Sequence, residues 1–179
     1  KTLQERPYEP FASEGDGPAG VRVRPATYKV SLTAGGKTTT GDLQIVKDPR
    51  LDVSDADLGQ QYAVARQLTD SYSELNIGVN RIRMMRKQLK NLRLLVPSVD
   101  SQVDDAMARL GEIEARLVDV HRETPRDVLR HPAGLDDTLM ELRWVTMISD
   151  TKPPLQVAEL TEKVTGDVQK LLDELDVLV

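Results

Sequence analysis

The residues of this sequence best suited to chemistry are two histidines and two pairs of adjacent aspartates. His121 and His131 are the only histidines in the chain and lie ten residues apart around a proline-containing segment. Zinc binds imidazole nitrogens and carboxylates, but there is no H-x-x-x-H spacing, so a metal site would need carboxylates from elsewhere in the fold. We therefore expect both histidines to lie in a loop or at the surface.

The adjacent aspartates are Asp104-Asp105 and Asp136-Asp137. A glycoside hydrolase needs two carboxyl groups that face each other across a cleft roughly 5–10 Å wide. Neighbouring residues of a helix instead point about 100° apart. Asp136 and Asp137 also fall in the first turn of a predicted helix, where the helix dipole stabilises negative charge. We interpret both pairs as structural.

No other catalytic or cofactor-binding pattern occurs in the sequence. The chain has no cysteine, which excludes disulfides, thiol catalysis and cysteine-based zinc sites. No serine has a histidine in a triad-like context, and Ala34-Gly35-Gly36 is typical of a turn, not of a phosphate-binding loop. We predict that this chain has no catalytic, cofactor-binding or metal-binding residues, has no cofactor and is not an enzyme.

A basic stretch has no acidic residue between Asn76 and Val99. It consists of Arg81, Arg83, Arg86, Lys87, Lys90 and Arg93. Such a stretch can contact nucleic acid or acidic lipid, but no aromatic residue interrupts it and the net charge of the chain is −5. Four acids follow on the next predicted helix: Asp104, Asp105, Glu112 and Glu114. An antiparallel turn would bring them beside the basic stretch, so we predict an ion-paired, solvated face and no nucleic-acid partner.

Residues 26–50 predict a β-hairpin that ends at Asp48-Pro49-Arg50. Tyr28, Val30 and Leu32 alternate with polar residues, which is typical of a half-buried strand. Gly35-Gly36 can adopt the positive φ values of a tight turn, and Thr39, Leu43 and Ile45 share one face of the return strand. A lone hairpin is marginally stable in water. We therefore expect further strands from residues 1–25, whose first twenty resemble an extended connector, or from sequence upstream.

The rest of the chain predicts helices, and the first is long. Ser54 is a suitable N-cap, Asp57 holds the capping-box position, and Pro97 ends the helix. Apolar residues recur every seven positions between these limits: Leu68, Leu75, Ile82, Leu89 and Val96. A helix over residues 54–96 would be on the order of 60 Å long, and Gly78 would cost it about 1 kcal/mol without breaking it.

Three further helices are predicted, each with one apolar face. The second covers about 98–123, the third carries Leu135, Leu139, Leu142, Val145 and Ile148, and the fourth carries Leu160, Val164, Val168, Leu171, Leu175 and Leu178. Such faces must pack against each other. We predict a mostly α fold with a small β module, that is, residues 1–50 as an Ig-like or fibronectin-like fragment and residues 51–179 as an antiparallel helical bundle. No apolar run is long enough to span a membrane.

Trp144 and Met147 lie on the predicted third helix. Two large apolar side chains there could anchor a partner at the surface. Because such side chains are usually buried, we favour packing in the core or between domains.

Residues 21–51 resemble the last hairpin of an Ig-like or fibronectin-like module found near the C-terminus of bacterial sortilin-type, BNR-repeat propeller proteins, which are often labelled glycosyl-hydrolase-like. The matching residues are Pro25-Ala26-Thr27-Tyr28, where the family has Gly in place of Ala26, the turn Gly36-Lys37-Thr38, and the exit Asp48-Pro49-Arg50. The segment 131–154 also resembles that family's closing segment, with Pro154 in place of the usual Thr.

The resemblance implies an accessory C-terminal region of an exported protein, and it transfers no catalytic residue because the propeller would lie N-terminal to this chain. The implied partner is that propeller domain or a second copy of the chain. Two alternatives remain: a free-standing coiled-coil adaptor that forms homodimers through the long first helix, and a hydrolase fragment. Arg86 and Arg93 at heptad a positions disfavour a tight two-stranded seam.

Overall fold

A computed structural model of the chain describes residues 20–122 and 130–178. Two strands come first, β1 (Ala26–Ala34) and β2 (Lys37–Ile45). They are followed by α1 (Asp55–Leu95), a 3₁₀ turn (Pro97–Val99), α2 (Asp100–Leu117), α3 (Leu135–Met147) and α4 (Leu155–Val177). This confirms the predicted class, which is a mostly helical chain with a long first helix preceded by a β-hairpin.

The two strands form an antiparallel hairpin with Ala26 opposite Ile45 and Ala34 opposite Lys37. Gly35 and Gly36 have φ values of 56° and 74°, which only glycine adopts without strain, and they form the predicted tight turn. Within the described part of the chain the sheet contains these two strands. Its relationship to an Ig-like module stays a prediction.

The predicted N-cap of α1 is confirmed. The Asp57 amide donates to Ser54 Oγ at 3.1 Å, and Ser54 Oγ in turn donates to Asp57 Oδ2 at 2.6 Å. The second hydrogen bond lowers the pKa of the Asp57 carboxyl, because it stabilises the charged form. Val53 and Leu58 are both buried beside this turn, as expected of a hydrophobic staple.

Side-chain contacts along α1 give the direction of each neighbouring helix. Arg83 contacts Glu114 and Arg93 contacts Asp104, whereas Gln61 contacts the Thr146 carbonyl and Tyr72 contacts Met140. Both α2 and α3 therefore run antiparallel to α1 and lie beside successive parts of it. Gln67 contacts Glu162 and Arg81 contacts Asp176, so α4 runs parallel to α1. Along α1 the bundle thus has two neighbouring columns. One is α2 followed by α3, and the other is α4.

The heptad positions of α1 face the core of this bundle. Leu68, Leu75 and Ile82 are fully buried. They pack in one cluster with leucines, isoleucines and valines of the other helices: Leu110, Ile113, Leu117, Leu139, Leu142, Val164, Val168, Leu171 and Leu175. Beyond Ile82 the burial decreases, and Val96 is exposed, because α4 ends near Arg81 and the last turns of α1 extend past it.

The second helix is shorter than predicted and ends at Leu117, not near Glu123. Val118 has an extended backbone, and the Asp119 side chain accepts a hydrogen bond from the His121 amide at 2.9 Å. An aspartate that bonds the backbone two residues ahead offers it an alternative to the helix. Val120, which falls within the predicted helix over 98–123, still packs against the core although it lies outside the observed helix.

Apolar periodicity on the last two helices predicted the buried residues in part. On α3 Leu139 and Leu142 are buried, but Val145 and Ile148 are exposed, and Thr146 is buried instead. On α4 Leu160 is exposed and its neighbour Thr161 is buried. The Thr161 hydroxyl donates to the Val157 carbonyl at 2.7 Å, so its polar group is satisfied within the helix.

The substitution Gly78→Ala is expected to raise the free energy of unfolding by less than Gly111→Ala does, because a Cβ atom there would clash with Leu172 Cδ2 and the shift of that side chain offsets part of the gain in helix propensity. Gly111→Ala is the matched control, since no atom lies within 4 Å of its Cβ position on α2. It is expected to raise the free energy of unfolding by about 0.5–1 kcal/mol. Urea unfolding measures both, and equal stabilisation by both would contradict the close α1–α4 contact.

Candidate interaction site at the base of the hairpin

One face of the hairpin carries its apolar side chains, and that face is exposed. The register places Tyr28 opposite Leu43 and Ala26 opposite Ile45, with Val30 and Leu32 on the same face. Val30, Leu32 and Leu43 are 48%, 68% and 49% exposed. The sequence predicts a half-buried face, but none of the described residues covers these three side chains. A two-stranded sheet of this kind is only marginally stable on its own.

A hollow of about 340 Å³ lies where the hairpin meets the helices. Residues 21–25 and 45–47 form one wall, and the first turns of α1 with the end of α3 form the other. Its side chains are mixed: Ile45, Leu58, Ala65 and Met147 are apolar, whereas Arg22, Arg24, Lys47, Gln61 and Asp150 are polar or charged. The sequence did not indicate this hollow, because its walls are far apart along the chain.

Polar contacts in the hollow attach the base of the hairpin to the bundle. The Arg24 guanidinium lies 5.6 Å from the centroid of the Tyr62 ring, at the distance of a cation–π contact. Lys47 Nζ donates to the Val53 carbonyl at 2.7 Å, and Arg22 lies 3.5 Å from Asp150. These contacts link the base of the hairpin to the helices and to the segment that precedes α1. The hollow is thus lined by three cations and one carboxylate together with apolar side chains.

Trp144 is 52% exposed on α3, so packing in a core of the described residues is wrong for it, whereas packing between domains stays a prediction. Val145 and Ile148 are exposed next to it. Met147 is half-buried and lines the hollow. Apolar residues on a helix show where a face lies, but they do not show whether another element covers that face. The end of α3 therefore adds an exposed apolar surface close to the base of the hairpin.

Four cations of the basic stretch on α1 are ion-paired, as predicted, but Arg83 and Arg86 are mostly buried and not solvated. Arg83 Nε and Arg86 Nη1 each lie 2.7 Å from a different oxygen of Glu114, and Arg93 Nη1 lies 2.8 Å from Asp104. Four acids of α2 were predicted to pair with the basic stretch. Among the described residues, two of them do so, namely Asp104 and Glu114. Pairing of Arg93 with Asp100 and of Arg81 with Asp176 was not predicted. Nor was the complete burial of Glu114.

The aspartate pairs do not converge on a shared cleft. Asp104 and Asp105 are exposed on α2. Asp136 is buried at the start of α3, where Asp137 accepts from the Gly134 amide and from Arg122. Among the described residues, no group of three or more histidine, cysteine, aspartate or glutamate side chains is arranged to hold a metal ion.

The two histidines come together at the junction of α2 and α3. Their ring centroids are 5.9 Å apart, and the ring planes are inclined by 36°. Both lie in the loop or at the surface, as expected, with His121 exposed and His131 half-buried. Their proximity was not predicted, because it depends on how the chain returns between α2 and α3.

Comparisons with protein-family models, with curated proteins and with solved structures find no match to this chain. The resemblance to sortilin-type propeller proteins therefore stays a prediction that depends on the residues quoted above. None of the helices in residues 20–122 and 130–178 has the length and hydropathy needed to cross a membrane.

Proposed function

We propose that this chain is a non-catalytic accessory region that packs against a larger protein and positions it. The observation that carries the proposal is the exposed apolar face of a two-stranded sheet whose base is attached to a helical bundle. Full burial of an exposed side chain of this size contributes roughly 1.5–3 kcal/mol, and covering these partly exposed side chains would contribute about half of that for each. A partner that adds strands or covers the face would therefore stabilise the hairpin and the complex together.

The partner we propose is a β-rich domain that precedes this chain in the same exported protein, such as a propeller. Two features support it: the quoted resemblance of residues 21–51, and the position of the hollow where the chain enters β1. The hairpin would complete an Ig-like module, and the contacts of Arg24 and Lys47 would transmit that module's orientation to the bundle.

The homodimeric adaptor is the second candidate, but the fold disfavours its expected interface. Leu68, Leu75 and Ile82 form the seam on which such a dimer would depend, and they are fully buried within one chain. A dimer would have to use the exposed surfaces of the hairpin or of α3. Light scattering on the isolated chain tests this, because a stable dimer that persists on dilution would support the adaptor.

A hydrolase fragment is the third candidate, and it predicts turnover by the chain itself. The acids it would use are exposed on α2 or engaged at the start of α3. Cleavage of any substrate in a screen of glycosides and peptides would support it.

Docking through the apolar face is tested by the substitution Leu32→Asp, with Ser31→Asp on the opposite face of the same strand as the matched control. In the isolated chain both are expected to leave the melting temperature nearly unchanged, because both side chains are exposed. In a longer protein that includes the upstream domain, we expect the amides of residues 26–45 to exchange at least tenfold faster in Leu32→Asp than in Ser31→Asp.

Hydrogen exchange measured by mass spectrometry on both proteins gives this comparison. Equal protection of residues 26–45 in the two variants of the longer protein would contradict docking through this face. A similar exchange rate for the wild-type hairpin in the isolated chain and in the longer protein would also contradict it.

A further inference from the structure

The junction between α2 and α3 brings together the only two histidines of the chain. His121 follows the end of α2 by four residues, and His131 precedes the start of α3 by four. Their ring centroids lie 5.9 Å apart. Spacing in the sequence did not favour a metal site, and this proximity changes that interpretation.

The separation of the two rings fits a shared metal ion. Bonds from zinc to imidazole nitrogen are about 2.0–2.1 Å long, so a bound ion lies roughly 3.2 Å from the centroid of each ring. Two rings on one ion are therefore at most about 6.4 Å apart, and about 5.2 Å apart at a tetrahedral angle. The observed 5.9 Å lies between these two values. Binding would require side-chain rotations that bring one nitrogen of each ring to the ion.

Two polar contacts lie beside His121, one of them exposed and the other buried. The Asp119 carboxylate accepts from the His121 amide at 2.9 Å. Next to it, Arg122 bonds to Asp137 in the first turn of α3, and both side chains are about nine-tenths buried. The Arg122–Asp137 contact links the residue next to His121 to the first turn of α3, four residues before which His131 lies. Ligands that are held near their binding positions lose less entropy when an ion binds.

We propose that His121 and His131 form a two-histidine site for a divalent transition-metal ion of the Zn²⁺, Ni²⁺ and Cu²⁺ class, with water in the remaining coordination positions. Imidazole nitrogen is a ligand that these ions prefer, whereas Mg²⁺ and Ca²⁺ prefer oxygen ligands. With two protein ligands the site binds more weakly than a four-ligand structural zinc site. A bound ion would link the end of α2 to the start of α3. This proposal is independent of the proposed docking function.

Titration of the full chain with ZnCl₂ at pH 7.5, followed by calorimetry and by thermal unfolding, tests the site. The wild type is expected to bind one ion per chain, and its melting temperature is expected to rise with each tenfold increase in Zn²⁺ above the dissociation constant. His121→Ala and His131→Ala are each expected to weaken binding at least tenfold. Asp105→Asn, an exposed carboxylate on α2, is the control and is expected to bind as the wild type does.

Binding should also be lost at pH 5, because protonated imidazole cannot bind a metal. If His131→Ala does not fold, His131→Asn keeps a polar side chain of similar shape and serves in its place. No heat and no thermal shift at 1 mM Zn²⁺ would overturn the proposal. So would wild-type affinity in either histidine variant, or a stoichiometry of one ion per two chains, which would place the ion between molecules.

Discussion

Leu75→Asp is expected to unfold the helical bundle, whereas Ile77→Asp, two residues further along the same helix, is expected to leave it folded. Leu75 is 0% exposed in the core cluster, and Ile77 is 69% exposed on the opposite side of α1. Both changes put aspartate in the middle of α1, so the loss of helix propensity is nearly the same in the two variants. The difference between them therefore measures burial.

The expected effect of Leu75→Asp is large because two losses add. Burial of a leucine side chain contributes about 1.5–3 kcal/mol, and an unpaired carboxylate in an apolar core costs several kcal/mol more. Domains of this size are stable by about 5–15 kcal/mol, so the variant loses much of that margin. Ile82→Asp is expected to behave in the same way, since Ile82 is also fully buried.

Circular dichroism at 222 nm with thermal and urea unfolding measures these effects. We expect a strongly reduced helix signal or melting temperature for Leu75→Asp and near wild-type values for Ile77→Asp. An unchanged signal and melting temperature in Leu75→Asp would show that the seven-residue stripe of α1 is not the core of the bundle.

The sequence predicted the features of this fold that depend on local patterns. The first helix could be predicted because Ser54, Pro97 and the leucines at intervals of seven lie within one continuous segment. The hairpin turn could be predicted because Gly35-Gly36 supplies both positive φ values. In each case the residues that determine the structure are close in sequence, so no knowledge of distant contacts was needed.

The features that could not be predicted depend on which elements meet. The apolar face of β1 was expected to be half-buried, but Leu32 remains exposed because the described residues supply no covering element. Trp144 is exposed for the same reason. The spacing of apolar residues also could not show that α2 and α3 pack end to end along α1. That arrangement brings His121 close to His131, and it places the end of α3 at the hollow below the hairpin.

Glu114→Ala is expected to destabilise the bundle by about 3–5 kcal/mol, although glutamate on a helix usually tolerates replacement by alanine. Glu114 is 0% exposed, and its two oxygens bond to Arg83 and Arg86, whose side chains are themselves mostly buried. Removal of the carboxylate leaves two guanidinium groups in a poorly solvated place without this counter-charge. Glu112→Ala, at an exposed position on α2, is the matched control and is expected to change stability by less than about 0.5 kcal/mol.

The loss of stability in Glu114→Ala would not by itself show that the triad of Arg83, Arg86 and Glu114 stabilises the fold. Part of that loss is the penalty for leaving two buried arginines without the carboxylate. The variant Arg83→Met, Arg86→Met, Glu114→Leu removes all three charges together and is expected to be as stable as the wild type, or more stable by about 1–4 kcal/mol. Urea unfolding of the three variants separates the two contributions. A loss for the triple variant as large as that for Glu114→Ala would mean that the triad is a net source of stability. Stability restored in the triple variant would mean that the three charges are not a net source of stability, and we then propose that they help to fix the register of α2 on α1, because Glu114 contacts both arginines.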